Sequence, residues 1–133
     1  VLSECEAWKQ CVLDPSTCKT LEIKLFASGV HGTIPDSIAL FTALETLRIS
    51  NCGKLSGTIP ASIGALTNMV DLVLEANSLE GEIPGAAIAS MKRLTTFSVK
   101  YNHFLSGTLA PQMFGQLTKL QSLVGIRWGT KIF

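Results

Sequence analysis

The feature that most constrains the fold is a segment that occurs four times at a nearly constant spacing. The four copies are VHGTIPDSI (30–38), LSGTIPASI (55–63), LEGEIPGAAI (79–88) and LSGTLAPQMF (105–114). Gly32, Gly57, Gly81 and Gly107 mark the same position in each copy, at intervals of 25, 24 and 26 residues. A fixed period of this length is typical of solenoids, in which each repeat buries its apolar edge only by stacking on its neighbours.

A strand-like stretch precedes each copy, and a short apolar segment follows it. The stretches are IKLFAS (23–28), LRISNC (47–52), LVLEAN (72–77) and FSVKYN (97–102), and a fifth begins at LQSLVGI (120–126). Their alternation of inward and outward residues predicts half-buried strands, which stack into one parallel sheet. After the prolines, apolar pairs such as Ile38 and Phe41 at helical spacing predict single 3₁₀ or α turns.

In each repeat, the strand is followed by a position at which the chain turns inward. The residues at this position are Ser28, Cys52, Asn77 and Asn102. A buried side chain at this position can hydrogen-bond backbone groups that the turn leaves unpaired. Asn does this best, and Ser28 and Cys52 are weaker substitutes. We expect Cys52 to be a buried thiol outside any disulfide.

Composition excludes several classes of protein. Charged residues make up 16% of the chain, and 11 Lys and Arg balance 10 Asp and Glu, whereas a nucleic-acid binder normally carries a basic excess. The apolar runs are too short to span a bilayer, so we expect no membrane insertion of this segment. The chain begins at Val1 rather than Met, which suggests a processed or trimmed product.

Three of the four cysteines, Cys5, Cys11 and Cys18, lie in the first 18 residues. Such clustering suggests a disulfide-stapled cap in an oxidising compartment, whereas a zinc site needs closer pairs than C-x5-C and C-x6-C. We therefore predict an N-terminal cap over residues 1–17. A solenoid of four full repeats and a partial fifth follows over residues 18–133.

The segments VHGTIP, LSGTIP and LEGEIP resemble the L-x-G-x-I-P signature of plant-type leucine-rich repeats, and LSGTLA departs from it by losing the proline. The resemblance covers roughly residues 18–126. It implies an α/β solenoid: a right-handed leucine-rich-repeat superhelix with a parallel concave β-sheet, short 3₁₀ or α turns on the convex side and a second short sheet. Members of this family include receptor-kinase ectodomains, small co-receptors and polygalacturonase-inhibiting proteins, all of them extracellular recognition modules.

The stretch ECEAWKQC also resembles the cap of that family, in which two cysteines flank a tryptophan. The resemblance implies that Cys5 pairs with Cys11 and that Trp8 packs over the first repeat. Cys18 is an extra cysteine, so a Cys11–Cys18 bond is the rival pairing. A secreted or cell-surface location is implied, with an oxidising organelle lumen as the alternative.

Outward residues of the predicted concave strands form the candidate binding face for a protein or peptide ligand. They are Lys24, Phe26, Arg48, Ser50, Val73, Glu75, Ser98, Lys100, Tyr101 and Arg127. The outward residues of the same strands also include Glu22, Glu45 and Asp71, so acids and bases are evenly mixed and no field of one sign steers a charged polymer. Five strands about 4.8 Å apart offer roughly 400–600 Å², less than the ~800 Å² per partner of a stable interface, so edges would have to contribute or binding would be weak.

A structural subunit of a larger assembly is the alternative function. No C-terminal cysteine pair or N-x-[ST] sequon is present, and Gly125 replaces the second apolar residue of the fifth strand. Leu123, Ile126 and Trp128 would then form a C-terminal edge that neighbouring subunits could cover.

Catalysis is not expected from this sequence. His31 and His103 lie in different repeats without a supporting carboxylate, and Asp71 and Glu75 lie on a sheet face open to water. Such a face offers little of the desolvation that acid–base catalysis requires. We predict no catalytic residue, no cofactor and no metal.

Overall fold

The computed structural model describes residues 22–26, 29, 31–107, 109 and 111–125, and two parallel sheets run along this part of the chain. The larger sheet, here called the concave sheet, contains in order β1 (Glu22–Phe26), β3 (Thr46–Ser50), β5 (Asp71–Val73), β7 (Thr96–Ser98) and β9 (Ser122–Val124). The second sheet contains β2 (His31–Thr33), β4 (Lys54–Gly57), β6 (Ser78–Glu82) and β8 (Phe104–Ser106).

Within the described residues, four short helices form the convex side and connect the second sheet back to the concave sheet. Two are 3₁₀ helices, η1 (Asp36–Leu40) and η2 (Ala61–Ala65), and two are α-helices, α1 (Gly85–Ala89) and α2 (Pro111–Phe114). A proline precedes η1, η2 and α1, where its fixed φ suits the start of a helical turn. The predicted solenoid with convex 3₁₀ or α turns is confirmed, as is the second short sheet that the family resemblance implied.

The core consists of ladders of apolar side chains, one rung from each repeat. Leu47, Leu72 and Phe97 form one ladder from the concave sheet, and all three are fully buried. Matching ladders come from the second sheet and from the convex turns, where Ile38, Ile63 and Ile88 repeat at the same position. Since each rung is buried by the repeats on both sides, stacking provides the apolar burial that a single repeat lacks.

Asn77 and Asn102 behave as the sequence predicted for the position where the chain turns inward. Both are buried, and each bonds main-chain groups of the preceding repeat. Asn77 donates from Nδ2 to the carbonyl of Ile49 at 2.8 Å and accepts the N–H of Cys52 at 3.1 Å. The side chain therefore satisfies a donor and an acceptor that no strand partner reaches.

Cys52 takes the same position in the second repeat with a weaker contact. It is buried and is not part of a disulfide, as expected. Its thiol donates to the carbonyl of Ser50 at 3.6 Å, a weak bond within its own repeat. Ser28, Cys5, Cys11, Trp8 and Cys18 lie outside the described residues, so the predicted cap and its disulfide remain predictions.

The recurrent glycine of each copy is required by two features of the second sheet. Gly57 has a φ of +75°, a left-handed conformation in which other residues are strained. A Cβ at Gly57 would also lie 2.7 Å from the Cγ2 methyl of Thr33, and one at Gly81 would lie 3.0 Å from that of Thr58. The threonine that follows one glycine therefore packs over the glycine of the next repeat.

Gly125 ends the fifth strand in a left-handed conformation, with a φ of +89°. A Cβ there would lie 2.7 Å from the main-chain nitrogen of Lys100 and 2.9 Å from its Cα. From the sequence, Gly125 was interpreted only as the replacement of an apolar core residue in the fifth strand. The structure shows that the chain bends at this point against the backbone of the fourth repeat, which leaves no room for a side chain.

Candidate functional site

The concave sheet places the outward residues of successive repeats side by side, because its strands pair without a shift. Lys24, Arg48, Val73, Ser98 and Val124 are opposite one another on β1, β3, β5, β7 and β9. The pairing continues past the ends of the strands through main-chain bonds from Asn51 N–H to Glu75 and from Ala76 N–H to Lys100. Outward positions therefore form continuous columns across the repeats.

Two of the predicted binding residues have little accessible surface. Val73 is only 7% exposed and Ser98 only 2% exposed, so neither side chain can offer more than a small contact area, although both lie on the outward side of the sheet. Val73 lies between Arg48 and Ser98 on the neighbouring strands, and the hydroxyl of Ser98 donates to Glu75 Oε1. Short side chains in the middle of the sheet are covered by the longer side chains around them.

The remaining predicted residues within the described part of the chain reach the surface. Lys24, Phe26, Arg48 and Tyr101 are exposed, and Ser50, Glu75 and Lys100 are half-buried. A shallow cavity of about 320 Å³ opens on the concave sheet near its first three strands. It is lined by Lys24, Leu25, Phe26, Arg48, Ser50, Asn51, Val73 and Glu75. Arg127 lies outside the described residues.

Ion pairs neutralise the cations in this cavity. Lys24 Nζ lies 2.8 Å from Glu22 Oε2, and Arg48 Nη2 lies 3.0 Å from Asp71 Oδ2 on the next strand. Burial raises the pKa of Asp71, but hydrogen bonds from Arg48 and Thr96 and the charges of Arg48 and Lys24 outweigh it, so the pKa lies below its ordinary value. The lining of the cavity therefore combines two cations that are held in ion pairs, the carboxylate of Glu75 and the exposed ring of Phe26.

Lys100 and Tyr101 form a second feature, at the edge of the sheet where its strands end. Lys100 Nζ lies 4.6 Å from the centroid of the Tyr101 ring, within the range of a cation–π contact. A hydrogen bond to Tyr101 and the charges of Tyr101 and Glu75 raise the pKa of Lys100, and burial opposes this shift. Lys100 is therefore positively charged at neutral pH and is held against an exposed ring.

The predicted C-terminal edge is only partly within the described residues. Leu123 on β9 is half-buried and packs against the core, together with Leu120. Ile126 and Trp128 lie outside the described part of the chain. A role for this edge in contacting other subunits therefore stays a prediction.

The described residues offer no grouping typical of a metal site or of a membrane-spanning chain. His31 and His103 are exposed and lie in different repeats. Among the described residues, no three His, Cys, Asp or Glu side chains are grouped so that they could hold a metal ion. None of the helices in the described part of the chain is long and apolar enough to cross a membrane.

Phe104 is 71% exposed at the start of β8, and it was not among the binding residues predicted from the sequence. The predicted binding face comprised the concave strands alone, and Phe104 belongs to the second sheet. A signal was present, since Phe104 immediately precedes the core residue Leu105 as Lys54 immediately precedes Leu55. Lys54 occupies an outward position, and the alignment of the repeats assigns the same position to Phe104.

Comparison with known proteins places these features in a family. The family model described as Leucine Rich Repeat matches residues 43–66, which span one period of the array. The chain is 33% identical over 101 residues to Receptor-like protein 39 of Arabidopsis thaliana, a match that covers 76% of this chain and 11% of that protein. The chain belongs to the leucine-rich-repeat family, and its repeats are of the plant type.

Solved structures show the same fold in plant receptor ectodomains. A structure of the BIR3–SERK2 complex from Arabidopsis thaliana matches with a TM-score of 0.65 and 33% identity, over 78% of this chain and 55% of that one. The Arabidopsis receptor kinase HAESA, solved with the peptide hormone IDA and the co-receptor SERK1, matches with a TM-score of 0.65 and 30% identity. That match covers 81% of this chain and 18% of that one.

The curated relatives are much longer proteins. This chain spans 11%, 12% and 9% of the length of three Arabidopsis receptor-like proteins that it matches. The similarity therefore concerns a stretch of repeats within each relative.

Proposed function

We propose that the chain is a non-catalytic recognition module that binds a protein or peptide on its concave sheet, outside the cell or at the cell surface. The observation that carries this proposal is the open cavity over the first three concave strands, bordered by Phe26 and Arg48. Aromatic and arginine side chains are enriched among the residues that dominate binding energies at protein interfaces. The solved complex of the similar receptor HAESA with a peptide hormone supports the same ligand class.

The chemistry of the cavity favours binding over catalysis. Asp71 is engaged by Arg48, and Glu75 accepts the hydroxyl of Ser98. Both carboxylates therefore hold neighbouring side chains in place on a surface open to solvent. A general acid or base normally needs a more enclosed site that changes its proton affinity.

A peptide selection tests the proposal and needs no identified ligand. A phage library of random 12-residue peptides is selected on the immobilised chain, and the enriched peptides are measured by fluorescence anisotropy. We expect enriched peptides that bind the wild-type chain and lose at least fivefold in affinity with Arg48→Ala. If no peptide is enriched over the bare support, the proposed function is contradicted.

Arg93→Ala is the matched control. The side chains of Arg48 and Arg93 are similarly exposed, at 46% and 47%, and each forms one ion pair with an acid of another repeat. Arg93 lies in the connection between the convex turn and β7, outside the cavity. Equal losses with both variants would indicate a general effect of charge or stability and would contradict binding at the cavity.

A further inference from the structure

Glu75 and Lys100 are opposite charges in neighbouring positions of the concave sheet, yet they do not form an ion pair. They lie side by side because the pairing of β5 with β7 continues through the bond from Ala76 N–H to the Lys100 carbonyl. Opposite charges in such cross-strand positions normally attract each other. Two other cations of the same face, Lys24 and Arg48, are each held in an ion pair, whereas neither Glu75 nor Lys100 forms one within the described part of the chain.

A different neighbour holds each of these two side chains. The hydroxyl of Ser98 donates to Glu75 Oε1, and no hydrogen bond from the described residues reaches Oε2. Lys100 Nζ lies 4.6 Å from the centroid of the Tyr101 ring, and its ammonium group has three protons to donate. The hydrogen bond to Tyr101 is the main cause that raises the pKa of Lys100, and the charge of Glu75 adds to it, so the two groups are within electrostatic range. A hydrogen-bond acceptor and a donor therefore remain available side by side.

This combination fits a ligand group that both donates and accepts. An uncharged amide does so, since its N–H can donate to Glu75 Oε2 while its oxygen accepts from Lys100 Nζ. An amide also places its donor and its acceptor on different atoms, which suits two groups that are not in contact. A charged ligand group would be attracted by one member of the pair and repelled by the other.

The charges of the whole face are balanced, which also favours an uncharged ligand group. Its cations are matched by carboxylates on the same or the next strand. The cations are Lys24, Arg48 and Lys100, and the carboxylates are Glu22, Asp71 and Glu75. No net field of either sign therefore selects a strongly charged partner.

Exposed rings lie at the two ends of the column of outward residues that contains the pair. The column begins with Phe26 and Ser50, which are opposite each other on β1 and β3, and continues to Glu75 and Lys100. Phe26 is 72% exposed, and Tyr101, which follows Lys100, is 55% exposed. Three strand spacings, about 14 Å, separate Phe26 from Lys100. A ligand that contacts both rings and the polar pair has the length of a peptide segment.

We propose that Glu75 and Lys100 together bind one uncharged amide of a peptide ligand, which is either a peptide bond or the side chain of an Asn or Gln. The inference rests on the proposed function and names the chemical group that the concave sheet recognises. Apolar groups on either side of this amide contact Phe26 and Tyr101, since aromatic side chains are enriched among the residues that dominate binding energies.

The peptides enriched in the selection described above supply the probes. Glu75→Met and Lys100→Met should each weaken the binding of the tightest peptide at least fivefold, because each removes one hydrogen-bonding group and keeps an unbranched side chain. The wild-type affinity should change less than twofold from low to high salt, because an uncharged amide is not subject to screening. A large loss of affinity at high salt would overturn the inference.

Glu80→Met and Lys54→Met are the matched controls. Both residues are exposed on the second sheet, so these variants remove the same charges outside the concave column. Each control is expected to change the affinity less than twofold, and losses equal to those at Glu75 and Lys100 would overturn the inference. Lys100→Met keeps the test valid if Glu75→Met lowers the thermal unfolding midpoint, since only Glu75→Met leaves the hydroxyl of Ser98 without its acceptor.

Changes in the peptide identify the source of the amide. Each Asn and Gln of the peptide is replaced by Ala, and each main-chain N–H is replaced in turn by an N-methyl group. One replacement should weaken binding to the wild-type chain at least fivefold and binding to Glu75→Met less than twofold, which is the coupling expected of groups in contact. A coupled Asn or Gln assigns the contact to a side chain, and a coupled N-methyl group assigns it to a peptide bond. If no replacement is coupled to Glu75, the inference is wrong.

The outcomes separate this inference from the proposed function. Enriched peptides that respond to Arg48→Ala but to neither Glu75→Met nor Lys100→Met would leave the recognition function standing and overturn the inference. Absence of any enriched peptide would contradict the proposed function itself, and the inference with it.

Discussion

The side-chain amide of Asn102 donates a hydrogen bond to the main-chain carbonyl of Leu74, 2.6 Å away in the preceding repeat. The same amide donates to the carbonyl of Val99 at 3.0 Å, and its oxygen accepts the N–H of Leu79 at 3.1 Å. All of these groups are in the interior of the stack. One buried side chain therefore connects the third and fourth repeats.

Replacing Asn102 with Ala should destabilise the chain strongly. Three bonds are lost and main-chain groups are left buried without a partner, so we expect the free energy of unfolding to fall by about 3 kcal/mol. Urea denaturation followed by circular dichroism measures this. Asn68→Ala is the control, since Asn68 bonds the Thr42 carbonyl at the surface. A loss at Asn102 no greater than at Asn68 would contradict the role of the buried amide.

Cys52→Asn should stabilise the chain. The Asn77 amide in the following repeat donates to the carbonyl 28 residues earlier, whereas the thiol of Cys52 donates weakly within its own repeat. An amide at position 52 can reach the corresponding carbonyl, which belongs to Lys24. We expect the free energy of unfolding to rise by about 1 kcal/mol. Cys52→Ser should show no gain, because the serine side chain is too short to reach that carbonyl. Equal effects of the two substitutions would contradict the expectation that Asn at position 52 bonds as Asn77 does.

Gly125→Ala should destabilise the end of the solenoid. The new Cβ meets the backbone of Lys100, and alanine is strained in the left-handed conformation of Gly125. We expect a loss of about 2 kcal/mol, measured by thermal or urea unfolding. Gly53→Ala is the control, because a Cβ at Gly53 meets nothing within 4 Å. Equal stability of the two variants would contradict the close approach of Gly125 to the backbone of Lys100.

The ion pair between Arg48 and Asp71 should give stability that depends on pH. Because the pKa of Asp71 in the folded chain lies below its ordinary value of 3.8, the carboxylate favours folding above pH 3.8. This contribution is lost as the pH falls through the lower pKa of the folded state. For a pair this exposed we expect at most about 1 kcal/mol.

Comparing wild type with Asp71→Asn over a pH series isolates this contribution. The difference in free energy of unfolding should be constant between about pH 5 and 8 and should close below pH 3.8. If the difference in free energy of unfolding persists at the lowest pH, the effect of Asp71→Asn does not come from the charge of the Asp71 carboxylate.

The repeat pattern was sufficient to predict the sheet and the packing within it. The alternation of inward and outward residues predicted the buried side of the strand-like stretches that begin at Leu47, Leu72 and Phe97. The position after each strand predicted the buried side chains of Asn77 and Asn102. These predictions succeeded because every repeat imposes the same environment on the same position. The family resemblance added the second sheet.

The accessible part of the site was harder to predict. Alternation assigned Val73 and Ser98 to the outward face, but it carries no information on the lengths of neighbouring side chains, which decide whether that face is exposed. The bend at Gly125 depends on the backbone of Lys100, which is 25 residues away in sequence. Phe104 could have been found by aligning repeats across both sheets instead of the concave strands alone.

The most direct test of binding by the concave sheet is a ¹⁵N NMR titration of the chain with the tightest peptide from the selection. If the concave sheet binds the peptide, the largest amide shift changes should fall in residues 24–26, 48–51, 73–76 and 98–101. Amides of η1, η2 and α1, on the convex side, should change little. Shift changes centred on those convex segments would contradict binding by the concave sheet.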